Sequence, residues 1–437
     1  QTCALPISLQ KEFPDRKEVF EMLYAVAMRS DGAKAAAIAK EIAASEASAE
    51  VKEAAAALLK KSERLGKAIK LEFTALDGRK VAVDAATFAG SVHGGLDMKC
   101  VDCHADLKKV TDFPHESKLA KADCVSCHED QVGLYDKSIH ASARRANAKS
   151  VAATCADCHG THDIRSKTDA KATTYPLNLP GTCAKCHGDA KVIEQGHIAI
   201  GNVAELYKDS IHGKAVSQSG LMVAANCTSC HGSHDVRKKS DPDSKVFRRN
   251  IPLTCGTCHE GIKTQYDAGV HGVAIGKGND KAPVCADCHT AHQIQRADVT
   301  SWKLDTIKEC GTCHADKIKT YRDTFHGQVT SLGFVRVAAC SDCHGAHEIH
   351  GSKDPKSMVS SANRLQTCRK CHETAGPNFA QYDPHADKHD PNGNPVLYYA
   401  ASFMKWLLIG VFGVFGLHAV LWLPRGFKAR RQGKGHA

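Results

Sequence analysis

The chain of 437 residues is poor in bulky side chains: aromatics make up 6% of it, and apart from a segment near the C-terminus it has no long apolar run. That scarcity excludes the large side-chain cores expected of a chain this long, unless something other than polypeptide fills the interior. Methionine is scarce too, with six in all and none at a recurring position, which argues against thioether ligands. Neither a starting Met nor a secretory signal opens the sequence, so the chain reads as processed or truncated. The formal net charge is +10, yet Lys and Arg are interleaved with Asp and Glu and no nucleic-acid-binding signature accompanies them. No nucleic-acid partner is expected on that pattern.

What the chain has in excess is cysteine and histidine, 21 and 26 of them, spread along its length. All but Cys3 fall in one pattern, Cys-x-x-Cys-His, repeated ten times. The cysteine pairs are Cys100 and Cys103, Cys124 and Cys127, Cys155 and Cys158, Cys183 and Cys186, Cys227 and Cys230. They continue as Cys255 and Cys258, Cys285 and Cys288, Cys310 and Cys313, Cys340 and Cys343, Cys368 and Cys371. The adjoining histidines are His104, His128, His159, His187, His231, His259, His289, His314, His344 and His372. Two thiols three positions apart add to the two vinyl groups of one haem, and the next residue then projects onto the iron as proximal ligand. Disulfides and zinc knuckles also use Cys-x-x-Cys, but neither requires a His directly after the second Cys every time. Ten haem c groups are therefore expected, in an oxidising, exported compartment such as the bacterial periplasm.

The motifs sit in a repeat of two. Each unit opens on Tyr-x-x-x-x-His, as from Tyr135, Tyr207, Tyr266 and Tyr321, then a first motif extended by a second His, then a second motif. A degenerate leading unit holds the motifs at Cys100 and Cys124, giving five units. Two histidines per unit lie outside the motifs: His93 and His115, His140 and His162, His212 and His234, His271 and His292, His326 and His347. They are the expected distal ligands. Ten proximal and ten distal residues leave six of the 26, His197, His350, His385, His389, His418 and His436, with His197 and His385 as first substitutes. Two imidazoles fill both axial positions, so such irons relay electrons and bind no substrate. No motif carries Lys in place of the proximal His.

Residues 1–87 hold no motif. They read as short helices, opening at Asp15 with Glu18 and stopping near Gly66, followed by a β-hairpin in which Ile69, Leu71, Phe73, Val81 and Val83 alternate around an Asp77-Gly78 turn. Residues 88–395 form the haem domain, where short motif-bearing helices and long loops leave the cofactors to supply the core. Residues 396–424 read as one transmembrane helix with Trp406 and Trp422 near its ends, and residues 425–437 as a basic cytoplasmic tail. His418 lies inside that helix, either hydrogen-bonded near the cytoplasmic interface or touching a haem or quinone shared with a membrane partner. The expected class is mostly α with extensive loops, packed on haem.

The segments Tyr-x-x-Ser-x-His from Tyr135 and Tyr207, and Cys-x-x-Cys-His-Gly-x-His-Asp-Ile or -Val from Cys155 and Cys227, resemble the cytochrome c3-like multihaem proteins of respiratory bacteria. The resemblance spans roughly residues 88–425 and implies an electron-transfer subunit beside an integral membrane cytochrome b or other quinol-oxidising subunit. The unit that opens at Tyr266 departs from it, with Thr290 for Gly and Gly269 for Ser, and the leading unit lacks the Cys-x-x-Cys-His-Gly-x-His extension. The expectation is a membrane-anchored relay on the bacterial inner membrane, its haems in the periplasm, serving periplasmic or outer-membrane cytochromes and having no substrate site of its own. Rival readings are a subunit of a nitrogen or sulfur oxyanion reductase and a subunit of an extracellular cytochrome filament.

Overall fold

The computed structural model describes residues 16–30, 32–64, 70–74, 80–109, 122–431 and 433, which are mostly helical. Cys3, Asp15, Gly66, Ile69, the Asp77-Gly78 turn, His115 and His436 fall outside them. The chain divides into two compact units, residues 1–126 with 159–172, and residues 127–158 with 173–437.

Among the described residues the first unit opens with three helices, α1 (Lys17–Met28), α2 (Gly32–Ala43) and α3 (Ala49–Arg64). Phe20, Leu23 and Ala27 recur at helical spacing on α1 and bury against Ile38, Ala39 and Ile42 of α2 and Ala55 of α3. Arg16 stands at the N-cap of α1 with no side-chain hydrogen bond. The antiparallel strands β1 (Lys70–Thr74) and β2 (Lys80–Asp84) follow, paired from Lys70 with Asp84 to Thr74 with Lys80. Asp84 then caps the short helix Ala85–Ala89 through Ala86 N–H at 3.0 Å. Among the described residues, the unit past this point carries short turns, the motif helix Cys100–Cys103 and the loop after His159.

The second unit is a run of short helices joined by loops. Four motifs form one-turn helices: Cys155–His159, Cys227–His231, Cys285–His289 and Cys340–His344. The other motifs here end longer helices or begin at their C-termini, as in Leu179–His187, Ile251–Gly256, Thr300–Cys313 and Arg364–Arg369. Pro180 and Pro252 occupy the first turn of theirs, where a missing N–H costs nothing. Large apolar side chains stay exposed across this region: Phe325 is 73%, Leu332 88% and Val223 84% accessible. Protein atoms alone do not close its interior. The unit ends in one helix, Pro395–Arg431, which is long and apolar enough to cross a membrane and has none of its apolar stretch buried.

Candidate haem-binding sites

Each Tyr-x-x-x-x-His segment folds as two helices meeting at a sharp corner. In the helix Ile211–Ser217 the Ser210 hydroxyl accepts from Gly213 N–H at 3.0 Å, and Ser138 and Thr324 do the same for Ala141 and Gly327 at 3.1 Å. These N-caps fix the turn on which His212, His140 and His326 stand. In three of the four segments Gly follows the His, and there the corner is tight: a Cβ at Gly213, Gly272 or Gly327 would overlap the carbonyl oxygen of Tyr207, Tyr266 or Tyr321. The tyrosine hydroxyl reaches forward to the carbonyl two residues ahead of the next attachment cysteine. Tyr135 donates to Ala153 at 2.7 Å, Tyr207 to Ala225 at 2.9 Å, Tyr266 to Pro283 at 2.8 Å and Tyr321 to Ala338 at 2.9 Å. Burial raises the pKa of Tyr207 and Tyr266 to about 12, so the phenol remains a donor.

A second recurring bond ties each unit to its successor. The N–H just before the corner His donates to a carbonyl two residues past the second His of the following unit. Val92 bonds Ile164 at 2.9 Å, Ile139 bonds Val236 at 2.8 Å, Ile211 bonds Ile294 at 2.7 Å and Val270 bonds Ile349 at 2.7 Å. In the unit that opens at Tyr266 this contact explains Gly269: a Cβ there would lie 2.9–3.1 Å from backbone atoms of His347 and Ile349. Thr290 is the other departure. It adopts φ +62°, where Gly160, Gly232 and Gly345 adopt +83° to +84°, a conformation that costs a β-branched residue of the order of 1–3 kcal/mol. Thr290 Oγ1 donates to the Gln293 carbonyl at 3.0 Å.

These two bonds bring histidines together in pairs. Second-motif histidines face the corner His of their own unit: His187 and His140 at 6.4 Å between ring centres, His259 and His212 at 6.2 Å, His314 and His271 at 6.3 Å, His372 and His326 at 6.1 Å. First-motif histidines face the second His of the next unit: His104 and His162 at 6.4 Å, His231 and His292 at 6.1 Å, His289 and His347 at 6.1 Å. The last unit has no successor, and there His344 faces His385 at 6.2 Å. His93, His128, His159 and His234 each make interactions as well. His197, His389 and His418 are in none of the eight pairs. His350 lies in the loop after His347, with Nε2 2.9 Å from Glu348 and Nδ1 3.2 Å from Asp354. Arg165 and Arg237 hold that place in their units, each paired with an aspartate four residues on at 3.0 and 3.1 Å.

A separation of 6.1–6.4 Å is too wide for direct hydrogen bonding between imidazoles and is the span of a bridging metal. With about 2.0–2.1 Å from metal to nitrogen, and each nitrogen about 1.1 Å from its ring centre, two imidazoles on opposite sides of one first-row ion stand roughly 6.2–6.4 Å apart. Burial lowers the pKa of His140, His162, His187, His212, His231, His271, His289, His292, His326, His344, His347 and His385, favouring the neutral ring that binds metal. Among the described residues no three His, Cys, Asp or Glu side chains converge as they would on a metal held by protein alone. The ligand sets stop at two imidazoles beside two thiols, which fits a metal whose other four donors come with a macrocycle.

The thiols form a row. Cys183 adjoins Cys227, Cys255 adjoins Cys285, and Cys310 adjoins Cys340. Between these contacts, Cys158 lies beside Cys183 and Cys186, Cys230 beside Cys255 and Cys258, Cys288 beside Cys310 and Cys313, and Cys343 beside Cys368 and Cys371. Burial and these neighbours push the Cys158 and Cys288 thiols up to about 11. From Cys155 to Cys371 each attachment motif therefore adjoins the next.

The family model for cytochrome c3 matches residues 92–188, which take in four of the motifs. The cytochrome c-type protein NrfB of Escherichia coli O6:H1 is 28% identical over 144 residues, which is 31% of this chain and 72% of that protein. No solved structure matches the chain. What the sequence repeats and the fold sets in facing pairs is the binding chemistry of haem c, and with these likenesses the chain is a multihaem c-type cytochrome of electron transport.

Proposed function

We propose that the chain binds ten haem c groups, each held by two thioethers and two imidazoles, and relays electrons between a quinone-linked membrane cytochrome and periplasmic or outer-membrane redox proteins. Haem bound at these sites supplies one-electron Fe(III)/Fe(II) chemistry. The protein's part is to fix the spacing. Cysteine pairs anchor the ring edges, histidine pairs hold both axial positions, and the tyrosine and inter-unit bonds set one unit against the next. The observation that carries the reading is the unbroken adjacency of attachment motifs from Cys155 to Cys371 alongside eight facing histidine pairs.

The offset of first-motif ligands accounts for the unequal ends of the repeat. The leading unit needs no second His, because no earlier unit requires one, and the last first-motif site draws on His385. Under this register the distal ligands are His93, His140, His162, His212, His234, His271, His292, His326, His347 and His385. Ten irons are served without His115, and His385, a substitute on sequence grounds, becomes a principal ligand.

The apolar C-terminal helix supports a single membrane pass with the haem domain, residues 88–395, in the periplasm and the basic tail inside. Axial positions closed by histidine on both sides disfavour an oxyanion-reductase site in this chain. Menaquinol added to vesicles holding the protein and the membrane subunit that co-purifies with it in mild detergent should reduce the haems. Absence of reduction by every quinol tried, with dithionite reducing them all, would count against the quinone link.

A further inference from the structure

The last histidine pair differs from the others in where its distal member comes from. His385 belongs to no repeat; it lies in the short connection between the tenth motif and the C-terminal helix, ten positions before Pro395 (395 − 385 = 10). Its ring centre is 6.2 Å from that of His344. Its Nδ1 hydrogen-bonds Thr320 Oγ1 at 3.1 Å, which leaves Nε2 as the nitrogen available to a metal, the kind of outer support that orients ligating imidazoles. Three residues on, the Lys388 ammonium pairs with Asp323 at 2.9 Å, at the far end of the helix Ala315–Asp323 that carries Thr320. Two polar contacts thus lock the start of the connection to the last repeat.

The rest of the connection is wound into turns. His389 N–H bonds Asp387 Oδ1 at 2.8 Å, Asn392 and Gly393 N–H bond Asp390 Oδ1 at 3.0 and 2.9 Å, and Asn394 N–H bonds the Asp390 carbonyl at 3.2 Å. Tyr398 N–H bonds the Asn394 carbonyl at 3.0 Å as the long helix begins. Ten residues reach at most about 35 Å when fully extended, and a chain folded through successive turns covers much less. Tyr398, Tyr399 and Trp406 then lie in the first turns of the apolar helix, where aromatic side chains settle at a membrane interface.

Resting on the reading of this chain as a membrane-anchored bis-histidine cytochrome, we infer that His385 is an axial ligand supplied by the membrane tether, and that the His344/His385 site is thereby held at the bilayer surface as the face the chain presents to a membrane-embedded redox partner. One connection both completes the site and sets its height. The partner it fits is an integral membrane protein whose own redox group lies near the outer interface. The opposite end of the row, toward the Cys155 motif, is left for water-soluble partners.

The test uses the full-length, haem-loaded protein in vesicles with and without a lipid carrying a gadolinium chelate on its headgroup, read by electron paramagnetic resonance of the oxidised haems. His385→Ala should convert one low-spin haem to high-spin, and the signal it removes should be among those whose relaxation the gadolinium lipid enhances most in the parent. Inserting ten Gly and Ser residues between Asn392 and Gly393 should leave the spectrum unchanged while that enhancement falls several-fold, which keeps the test informative if His385→Ala does not fold. A His385→Ala spectrum identical to the parent would overturn the ligand assignment. Loss of a signal that gadolinium lipid leaves untouched would overturn the membrane placement, as would an insertion variant with undiminished enhancement. His326→Ala separates these failures from failure of the underlying reading: it should also turn one haem high-spin, and if neither variant changes the spectrum, histidine pairs are not the ligands anywhere in the last unit.

Discussion

The N-terminal helices and the repeat region solve the same problem with different material. Within α1, α2 and α3, side chains such as Phe20, Leu23 and Ile42 are 0–2% exposed and fill the interior themselves. In the repeats, fully buried apolar side chains are sparse, Phe325 and Leu332 stay open, and backbone-to-tyrosine and unit-to-unit hydrogen bonds arrange residues around gaps spanned only by imidazole pairs. The first region is stabilised by burial of its own apolar surface; the second by polar staples and by whatever occupies the gaps. Such a division follows from composition, since a chain with 6% aromatics spread thinly cannot pack both.

The sharpest way to break this contrast is to withhold the cofactor. Chain made in cells lacking the haem-attachment machinery should lose most of its helical circular dichroism and its protease resistance between residues 88 and 395, while a fragment containing residues 16–64 survives digestion. A repeat region that stays protected without haem would show that its polypeptide packs unaided. Next in size, Phe20→Ala should destabilise the N-terminal bundle by about 3–5 kcal/mol in denaturant unfolding, with the haem absorption spectrum unmoved. Within the repeats, Gly232→Ala forces a side chain into φ +84° with its Cβ 2.7 Å from Asp235 Oδ1, and should cost about 1–3 kcal/mol. Tyr207→Phe, which leaves the Ala225 carbonyl without its donor, should cost less, about 1–2 kcal/mol, and loosen attachment at Cys227 before any other motif.

Much of the haem region was legible in the sequence because covalent chemistry fixes residue type and spacing together. Cys-x-x-Cys-His leaves little freedom, so the ten motifs and the two-motif repeat could be read directly, as could the apolar C-terminal helix. The Tyr of each unit was visible as a pattern but its role was not, since a hydroxyl reaching a carbonyl 17 or 18 residues ahead is a tertiary contact with no local signature. Which His faces which was hidden for the same reason: partners such as His231 and His292 sit in different units, and nothing in one unit declares its neighbour. A signal did exist in the asymmetry of the ends. A leading unit without the motif extension and a spare His385 after the last motif together mark a repeat whose facing histidines are shifted by one unit. Thr290 is a visible departure in the sequence, but its cost lies in a positive φ that only the backbone shows. At the N-terminus, helices and a hairpin are expected from the sequence, and the helix expected to open at Asp15 has Arg16, one residue on, at its N-cap with no side-chain capping bond.

Near-infrared magnetic circular dichroism of the fully oxidised, full-length protein, scaled to iron content, tests most directly whether facing histidines hold every iron. Ten low-spin ferric haems per polypeptide, all with the charge-transfer energy of paired imidazoles and none high-spin, are the expected result. Fewer than ten, or a band belonging to histidine with methionine or to an open axial position, would contradict it.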